Sequence, residues 1–302
     1  MSPSLSSPRI AIIGAGIIGL SCAWELAKRG AHVTLFDSGF YPGRGASWAA
    51  AGMLAPAYEA AAEPGVNPRL FDLCLKSARQ WIDMSGAIAA VTRRDVLHSI
   101  GPSLAVAQTA EDRIQLAGLA KALTARKIAF DVLSPDEAVQ AEPCLRVGNK
   151  GALRLPTDGQ VDNRLLVEAL IRALESQERV AFVTGTAPLA MVQGKIVLDG
   201  FDRVIFAAGW ETASVTVGEM PLGDIAPMLR KIEPVAGHML SFNRLPDGPA
   251  MTVRAGALYI VPKAGRLIVG ATMEPGETST RIDPAAINRL EAAAQSLCPM
   301  LK

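Results

Sequence analysis

The chain has 302 residues, of which 50% are hydrophobic and 20% are charged, so it can bury a sizeable core. At about 150 residues per domain, this length predicts about two domains. A formal net charge of +1 and only 5% aromatic residues argue against a nucleic-acid-binding surface. The four cysteines and three histidines are widely spaced, so neither a metal site nor a disulfide framework is predicted, and the default compartment is the reducing cytoplasm.

Residues 10–24 form the one apolar segment that could imitate a targeting signal. The segment is short for a membrane-spanning helix, and Glu25, Lys28 and Arg29 follow it directly. Only Arg9 precedes it, whereas a secretion signal has a basic start and a small-residue cleavage site. No integral membrane segment is therefore predicted.

A glycine motif follows the first apolar run. Residues 9–13 are typical of a buried parallel strand, and Gly14, Gly16 and Gly19 follow at GxGxxG spacing. Residues 17–29 predict a helix, and residues 31–36 predict a second strand that ends at Asp37. The distance from the last glycine to this acid is close to the roughly 20 residues typical of dinucleotide-binding folds.

Each part of this motif has a physical task. Gly14 permits a tight turn, Gly16 lets a pyrophosphate approach the backbone, and Gly19 lets the helix pack closely on the strand. The helix N-terminus attracts phosphate, and a carboxylate at Asp37 can accept ribose hydroxyls while repelling a 2′-phosphate. The motif therefore favours FAD or NAD over NADP, and a strand–helix turn without a ligand is the alternative.

The segment after Asp37 favours FAD. Residues 38–50 are small and polar and include Arg44, and the alanine-rich run AAAGMLAP follows at residues 49–56. Small residues allow a flat, bulky group to approach the backbone closely. An ordinary alanine-rich helix with a flexible lead explains the composition equally well.

The remaining elements are predicted from periodicity and capping residues. Ser134 and Asp283 each precede a proline and begin helices, Asp162 begins another, and Gln193 with Gly194 marks a hairpin. The other predictions are a helix over residues 69–85 and strands over 203–208, 235–242, 251–254, 257–262 and 266–270.

The glycine motif and the run GASWAAAGMLAP together closely resemble the glycine oxidases of thiamine biosynthesis, which are FAD enzymes of the D-amino-acid-oxidase-like group. The resemblance continues through DGQVDNRLLVEAL, VIFAAGWET and YIVPKAGRLIVGATMEPG, and it spans the chain from Arg9. It implies an α/β (α+β overall) fold, in which a Rossmann-type FAD-binding domain is interleaved with a mixed-sheet substrate domain. The implied bounds are 8–75 with 143–217 for the FAD-binding domain and 76–142 with 218–302 for the substrate domain.

The resemblance also implies a set of FAD contacts distributed along the chain. They comprise the glycine turn, the acid at the second strand, the small-residue loop, an adenine contact and the small-residue end of the strand over residues 203–208. These residues are Gly14, Gly16, Ile17, Ile18, Gly19, Asp37, Ser38, Arg44, Ala46, Ser47, Ala51, Gly52, Met53, Ala187, Ala208 and Gly209.

For the substrate, Tyr259 matches the family's active-site tyrosine, whose hydroxyl could orient a carboxylate. Met53 and Met273 would form an apolar wall, and Ala257 stands where several relatives carry histidine. The alternative to a substrate-binding role is structural: the tyrosine would be buried in a core strand, and the methionines would pack in the core. The resemblance further implies that a carboxylate-binding arginine lies on a following segment that this sequence does not contain. Arg254, Arg266 and Arg281 match no such position and are expected to have surface or pairing roles.

The implied reaction is the oxidation of glycine, sarcosine or a similar small amine or amino acid. A hydride passes from Cα to flavin N5, and the imine is hydrolysed to glyoxylate and ammonia. Oxygen is the expected electron acceptor, which gives hydrogen peroxide, and a homo-oligomer is the expected assembly. The alternatives are a D-amino-acid or sarcosine oxidase or dehydrogenase of the same superfamily, a truncated flavin-binding remnant without activity and, more distantly, an NAD dehydrogenase.

Overall fold

The computed structural model describes residues 7–39, 43, 45–62, 68–93, 101–146 and 148–301. Its α-helices are α1 (Ile17–Lys28), α2 (Ala46–Ala49), α3 (Pro56–Ala62), α4 (Pro68–Thr92), α5 (Ala110–Ala125), α6 (Pro135–Ala141), α7 (Asn163–Glu175), α8 (Leu222–Ile225) and α9 (Pro284–Leu297), with short 3₁₀ helices at Gly209–Ser214 and Pro227–Lys231. Its strands are β1 (Arg9–Ile13), β2 (His32–Asp37), β3 (Met53–Leu54), β4 (Ser103–Val106), β5 (Asp131–Leu133), β6 (Ala152–Leu155), β7 (Gly159–Gln160), β8 (Val180–Thr184), β9 (Ala190–Val192), β10 (Lys195–Val197), β11 (Arg203–Phe206), β12 (Thr216–Val217), β13 (Met220–Pro221), β14 (Val235–Ala236), β15 (Met239–Asn243), β16 (Thr252–Ala255), β17 (Leu258–Lys263), β18 (Arg266–Gly270) and β19 (Glu274–Pro275).

The chain divides into two compact units, each built from three separate stretches of sequence. Unit 1 comprises residues 1–50, 87–96 and 163–234, and unit 2 comprises residues 51–86, 97–162 and 235–302. The interleaving of a parallel-sheet unit with a mixed-sheet unit confirms the predicted α/β fold class. The functional division into an FAD-binding and a substrate domain, with the bounds given above, stays a prediction.

Unit 1 is built on a four-stranded parallel sheet in the order β11-β1-β2-β8. Because α1 connects β1 to β2, these strands form the βαβ unit that the glycine motif predicts. α7 packs against both α1 and α2. An apolar cluster of unit 1 includes Ala11, Ile13 and Phe36 of the sheet. Both faces of a parallel sheet are normally covered by other elements. Because the strands run in the same direction, their carboxyl ends meet at one edge of the sheet.

Unit 2 is built on a seven-stranded mixed sheet in the order β15-β18-β17-β16-β4-β6-β5. Leu104, Val253 and Ile260 belong to an apolar cluster that α9 completes with Leu290 and Leu297. The alternate residues of the same strands turn to the opposite face. There, Ala105 and Leu153 pack with residues of α3 and α5.

Local signals in the sequence locate most of these elements correctly. Ser134 forms a capping box with Glu137, and Asp283 accepts hydrogen bonds from the first N–H groups of α9. Gln193 and Gly194 both have positive φ, as a two-residue hairpin turn requires. The strand predicted over residues 9–13 and the helix begun at Ile17 are likewise confirmed.

Two predicted elements differ from the structure by more than two residues. The strand predicted over residues 235–242 is interrupted, because the backbone of His238 donates to the Thr272 hydroxyl at 2.8 Å and leaves the ladder. The helix predicted over residues 69–85 continues to Thr92, since the following residues are apolar and alanine-rich. The sequence stretch between that helix and Glu142 also contains β4 and α5, for which no bounds were predicted.

A buried carboxylate fixes the start of α3 in unit 2. Asp158 is fully buried, and its Oδ1 accepts a hydrogen bond from the N–H of Ala57 at 3.2 Å. Its Oδ2 accepts one from the Ser103 hydroxyl, also at 3.2 Å. Burial raises the pKa of Asp158 to about 6, because the charged form loses its hydration.

We expect Asp158→Asn to change how stability depends on pH. Since the pKa of Asp158 is higher in the folded than in the unfolded chain, its stabilising contribution is complete below about pH 4 and is lost as the pH rises through about 6. The free energy of unfolding of the wild type, relative to Asp158→Asn, is expected to fall by about 1–3 kcal/mol over that range. Urea unfolding of both proteins between pH 4 and pH 7.5 measures this difference.

Asp112→Asn provides a control of opposite sign. Burial raises the pKa of Asp112, but hydrogen bonds from the backbone of Thr109 and Gln108 lower this pKa by more. The pKa of Asp112 therefore lies below its usual value. Its contribution is present above the unfolded-state pKa and is lost as the pH falls. Parallel pH profiles for the wild type and Asp158→Asn would contradict the assignment.

Candidate functional site

The turn after β1 has no room for side chains at two of its glycines. Gly14 has a φ of +103°, and an added Cβ would lie 2.8 Å from the backbone of Ala208. At Gly19, a Cβ would overlap the carbonyl oxygen of Gly14. Gly19 therefore holds α1 in close contact with the end of β1, as the motif predicts, and Gly14 allows the segment after β11 to approach the same turn.

Gly16 differs from its two neighbours in the motif. Its backbone is extended, with a φ of −72°, and among the described residues an added Cβ would approach only the Ser47 hydroxyl oxygen, at 3.4 Å. The N-terminus of α1 follows directly, and the side chain of Ile18 is 65% exposed there. The backbone at Gly16 is thus accessible at the positive end of a 12-residue helix.

Asp37 holds the carboxyl edge of the parallel sheet together. Its Oδ2 accepts a hydrogen bond from the N–H of Ala15 at 2.6 Å, and its Oδ1 accepts one from Gly39 at 2.8 Å. Each carboxylate oxygen retains a further lone pair that could accept a hydroxyl. Ser38 is exposed beside it, and Arg44 lies outside the described residues.

The short helix α2, which contains Ala46 and Ser47, is held in place by hydrogen bonds from α1 and α7. The Ser47 hydroxyl accepts a hydrogen bond from the N–H of Ile17 at 2.9 Å. The side-chain amide of Asn163 donates to the carbonyl oxygens of Ser47 and Trp48, each at 2.9 Å. Asn163 was not predicted as a site residue, although it lies within the quoted run DGQVDNRLLVEAL.

The remaining predicted contacts of unit 1 follow β8 and β11. Ala187 is buried in the apolar cluster of unit 1, and Ala208 and Gly209 follow β11 and begin a 3₁₀ helix. Because Ala207 donates its N–H to the carbonyl of Ile13 at 2.7 Å, this segment lies at the same edge as Gly14. The structure therefore brings together the glycine turn, Asp37 and the end of β11.

In unit 2, the residues after the small-residue loop pack on the mixed sheet. Ala51 is buried with Val261 and Ile268, and Met53 and Tyr259 pack against this cluster. Gly52 has a φ of +70° and accepts a hydrogen bond from the N–H of Val161 at 2.9 Å. Met273 is 72% exposed and is not part of the cluster.

Tyr259 lies in a row of directly opposed residues that crosses five strands. The row runs Ala105, Arg254, Tyr259, Gly270, Met239, and opposed residues share one face of a sheet. The hydroxyl of Tyr259 donates to Sδ of Met239 at 3.1 Å. Burial raises the pKa of Tyr259, so the hydroxyl carries its proton at neutral pH.

Arg254 is the residue of this row whose burial the sequence did not reveal. Its side chain is 6% exposed and forms an ion pair with Glu59, with 2.6 Å between Nη1 and Oε1. Its guanidinium lies 4.3 Å from the ring centroid of Tyr58, and Nη2 is 3.1 Å from Sδ of Met53. A pairing role was expected, and the structure shows one, but in a buried position. The signal was present in the tight turn at Gly256, which fixes Arg254 opposite Tyr259.

The other two arginines considered are less buried. Nη2 of Arg266 lies 3.5 Å from both carboxylate oxygens of Asp162, and Arg281 is exposed. Among the described residues, no three His, Cys, Asp or Glu side chains are grouped as metal ligands would be. No helix in the described part of the chain has the length and apolar character needed to cross a membrane.

Comparison with known proteins gives consistent matches over nearly the whole chain. Glycine oxidase of Bacillus licheniformis is 30% identical over 296 residues, which cover 95% of this chain and 76% of that protein. The bifunctional protein ThiO/ThiG of Synechocystis is 31% identical over 303 residues, covering 97% of this chain and 42% of that protein. The crystal structure of glycine oxidase from Geobacillus kaustophilus superposes with a TM-score of 0.83 at 28% identity, covering 98% of this chain and 80% of that one.

The family model described as FAD dependent oxidoreductase, DAO, matches residues 9–302. These matches confirm the resemblance on which the fold and cofactor were predicted. The chain belongs to the DAO family of FAD-dependent oxidoreductases.

Proposed function

We propose that this protein is an amino acid oxidase that uses FAD to oxidise glycine or a similarly small amino acid. The observation that carries the proposal is the family match over residues 9–302, together with glycine oxidases that are similar over 95% or more of the chain. Further support comes from the row on the mixed sheet, where a protonated tyrosine and a buried guanidinium are adjacent. Thiazole formation in thiamine synthesis is the proposed pathway, and the similarity to the ThiO/ThiG protein supports it.

The residues at the carboxyl edge of unit 1 fit the dinucleotide part of FAD. The open backbone at Gly16 and the N-terminus of α1 suit a pyrophosphate, while Asp37 can accept ribose hydroxyls. The proposed contacts of unit 1 are Gly14, Gly16, Ile17, Ile18, Gly19, Asp37, Ser38, Ala46, Ser47, Ala187, Ala208 and Gly209. Arg44 of the loop, and Ala51, Gly52 and Met53 of unit 2, are proposed from the family resemblance.

In the proposed mechanism, the protein positions and desolvates the substrate. Bound FAD supplies the two-electron acceptor for the hydride that leaves Cα of the substrate. The Tyr259 hydroxyl donates a hydrogen bond that orients the substrate, and the side chains of Met53 and Met273 provide apolar surface. The amino group loses a proton, and the resulting imine is hydrolysed to glyoxylate and ammonia. Oxygen as electron acceptor, a cytoplasmic location and a homo-oligomeric assembly are further parts of the proposal.

We expect Gly16→Ala to weaken FAD binding with little effect on folding. The backbone conformation at Gly16 suits alanine, and in the described part of the chain the new Cβ makes only a 3.4 Å contact with Ser47 Oγ. The Cβ nevertheless occupies the surface on which the pyrophosphate is proposed to lie. The FAD dissociation constant is expected to rise about tenfold or more, which corresponds to about 1.4 kcal/mol. Titration of apoprotein with FAD, followed by flavin fluorescence, measures the effect.

Gly86→Ala is the matched control for this substitution. Gly86 lies on the exposed side of α4, and an added Cβ has no neighbour within 4 Å among the described residues. The FAD affinity of the Gly86→Ala variant is expected to equal that of the wild type. Equal affinity in Gly16→Ala, or a loss of similar size in both variants, would argue against the proposed pyrophosphate site.

Turnover of small amines tests the reaction itself. The FAD-loaded protein is expected to release hydrogen peroxide and glyoxylate in equal amounts from glycine, and anaerobic glycine is expected to bleach the flavin. Sarcosine and D-alanine test the related oxidases, and an artificial electron acceptor tests for a dehydrogenase. If no amine or amino acid bleaches the bound flavin, the chain binds FAD without catalysing amine oxidation, and the proposed activity is wrong.

A further inference from the structure

Two cysteines that are far apart in sequence come together in unit 2, on the side of the mixed sheet that faces α9. Cys144 lies in the loop after α6, and Cys298 directly follows the last residue of α9. Both are buried, with exposures of 8% and 0%, in the apolar cluster that α9 completes. The N–H of Arg146 donates to the carbonyl oxygen of Leu297 at 3.0 Å, so a backbone hydrogen bond also joins the two segments.

The two thiols contact each other rather than packing as separate apolar groups. The thiol of Cys144 donates a hydrogen bond to Sγ of Cys298, which lowers the pKa of Cys298 below its usual value and raises the pKa of Cys144. Sγ of Cys144 also lies 3.7 Å from Oε1 of the buried carboxylate of Glu142. Because this carboxylate favours the protonated form of Cys144, Cys298 is the member of the pair that more readily becomes a thiolate.

We propose that Cys144 and Cys298 form a redox-active pair, which hydrogen peroxide converts into a disulfide that joins the end of α9 to the loop after α6. Tyr259 and the proposed FAD contacts Ala51 and Met53 belong to a different apolar cluster, so the inference goes beyond the proposed function. In a reducing compartment, a disulfide is usually transient and serves catalysis or redox sensing. The pair therefore makes the attachment of α9 depend on the peroxide concentration.

The position of Cys298 at the end of a helix gives a small oxidant access to it. Cys298 is the C-cap residue of α9, and its N–H donates to the carbonyl of Ala294 at 2.8 Å. The terminal turn of a helix opens more readily than its centre. Opening of this one turn exposes Sγ of Cys298 while the rest of the apolar core stays closed.

The chemistry uses one molecule of peroxide for each disulfide. The Cys298 thiolate attacks one peroxide oxygen, the O–O bond breaks, and hydroxide leaves and takes up a proton to give water. Sγ of Cys144 then attacks the resulting sulfenic sulfur, so that the S–S bond forms and the S–O bond breaks. The hydroxide that leaves takes the proton of Cys144 and becomes the second water. The two thiols lose two electrons, and the peroxide is reduced to two waters.

Peptide mapping of the FAD-loaded wild type tests the proposal directly. The protein is treated with hydrogen peroxide, denatured and alkylated, and then digested without a reducing agent. The number of alkylated thiols is expected to fall from the four of the reduced chain to two. A linked peptide pair that contains Cys144 and Cys298 is expected, and treatment with a dithiol reductant is expected to separate it.

Stability gives a second measurement, because the disulfide closes the long stretch of chain between residues 144 and 298. The unfolding midpoint of the oxidised wild type is expected to lie about 5 °C or more above that of the reduced protein. Peroxide is expected to give no such rise in Cys144→Ala or in Cys298→Ala. The matched control is the double variant Cys22→Ser with Cys74→Ser, which removes the two half-buried cysteines and is expected to form the disulfide normally.

The outcomes separate this inference from the proposed function, because the peroxide is added and no turnover is needed. Retention of four alkylated thiols after peroxide would overturn the inference. Separate oxidation of Cys144 and Cys298 to sulfinic acids, or a disulfide through Cys22 or Cys74 in place of the proposed one, would overturn it too. If the disulfide forms but glycine is not oxidised, the redox pair stands and the proposed reaction is wrong.

Discussion

The close approach of α1 to the end of β1 at Gly19, and of the segment after β11 to Gly14, is the constraint on which unit 1 depends. No side chain fits at either position, so the helix begins immediately above the end of the strand. The N–H of Gly14 reaches the carbonyl of Phe36 at 2.7 Å, and Asp37 returns a carboxylate to the N–H of Ala15. The same few residues therefore set the sheet edge and leave the backbone at Gly16 accessible. The surface that is proposed to bind phosphate is thus a direct consequence of the way in which the strand and the helix pack.

Unit 2 depends on a different constraint, which is the placement of polar groups on one face of an otherwise apolar sheet. The face toward α9 is a continuous apolar core, whereas the opposite face carries Arg254 and Tyr259 and lies near the buried Asp158. The positive charge of Arg254 lowers the pKa of Asp158, but burial dominates and the net effect is a raised pKa. Buried polar groups of this kind reduce stability unless they are paired, and both Arg254 and Asp158 have hydrogen-bond partners.

Local features of the sequence predict unit 1 better than unit 2. Gly14, Gly16, Gly19 and Asp37 lie close together in the chain, and their roles follow from spacing alone. β4 and β6 pair across more than 40 residues of sequence, and neither carries a turn signal that fixes its partner. The burial of Arg254 could not be predicted for a related reason: its face depends on strand register, and register depends on the length of the turn at Gly256. The break in the strand at His238 depends on a hydrogen bond to Thr272, which is distant in sequence.

The ion pair between Arg254 and Glu59 keeps a buried charge of unit 2 from being unpaired. Removing the partner of a buried ion is strongly destabilising, so Glu59 is expected to stabilise unit 2 although its own side chain is exposed. The ring of Tyr58, whose centroid lies 4.3 Å from the guanidinium, adds a cation–π contact to this pair. A charge that is paired in this way acts locally and creates no basic surface, which agrees with the near-neutral charge of the chain.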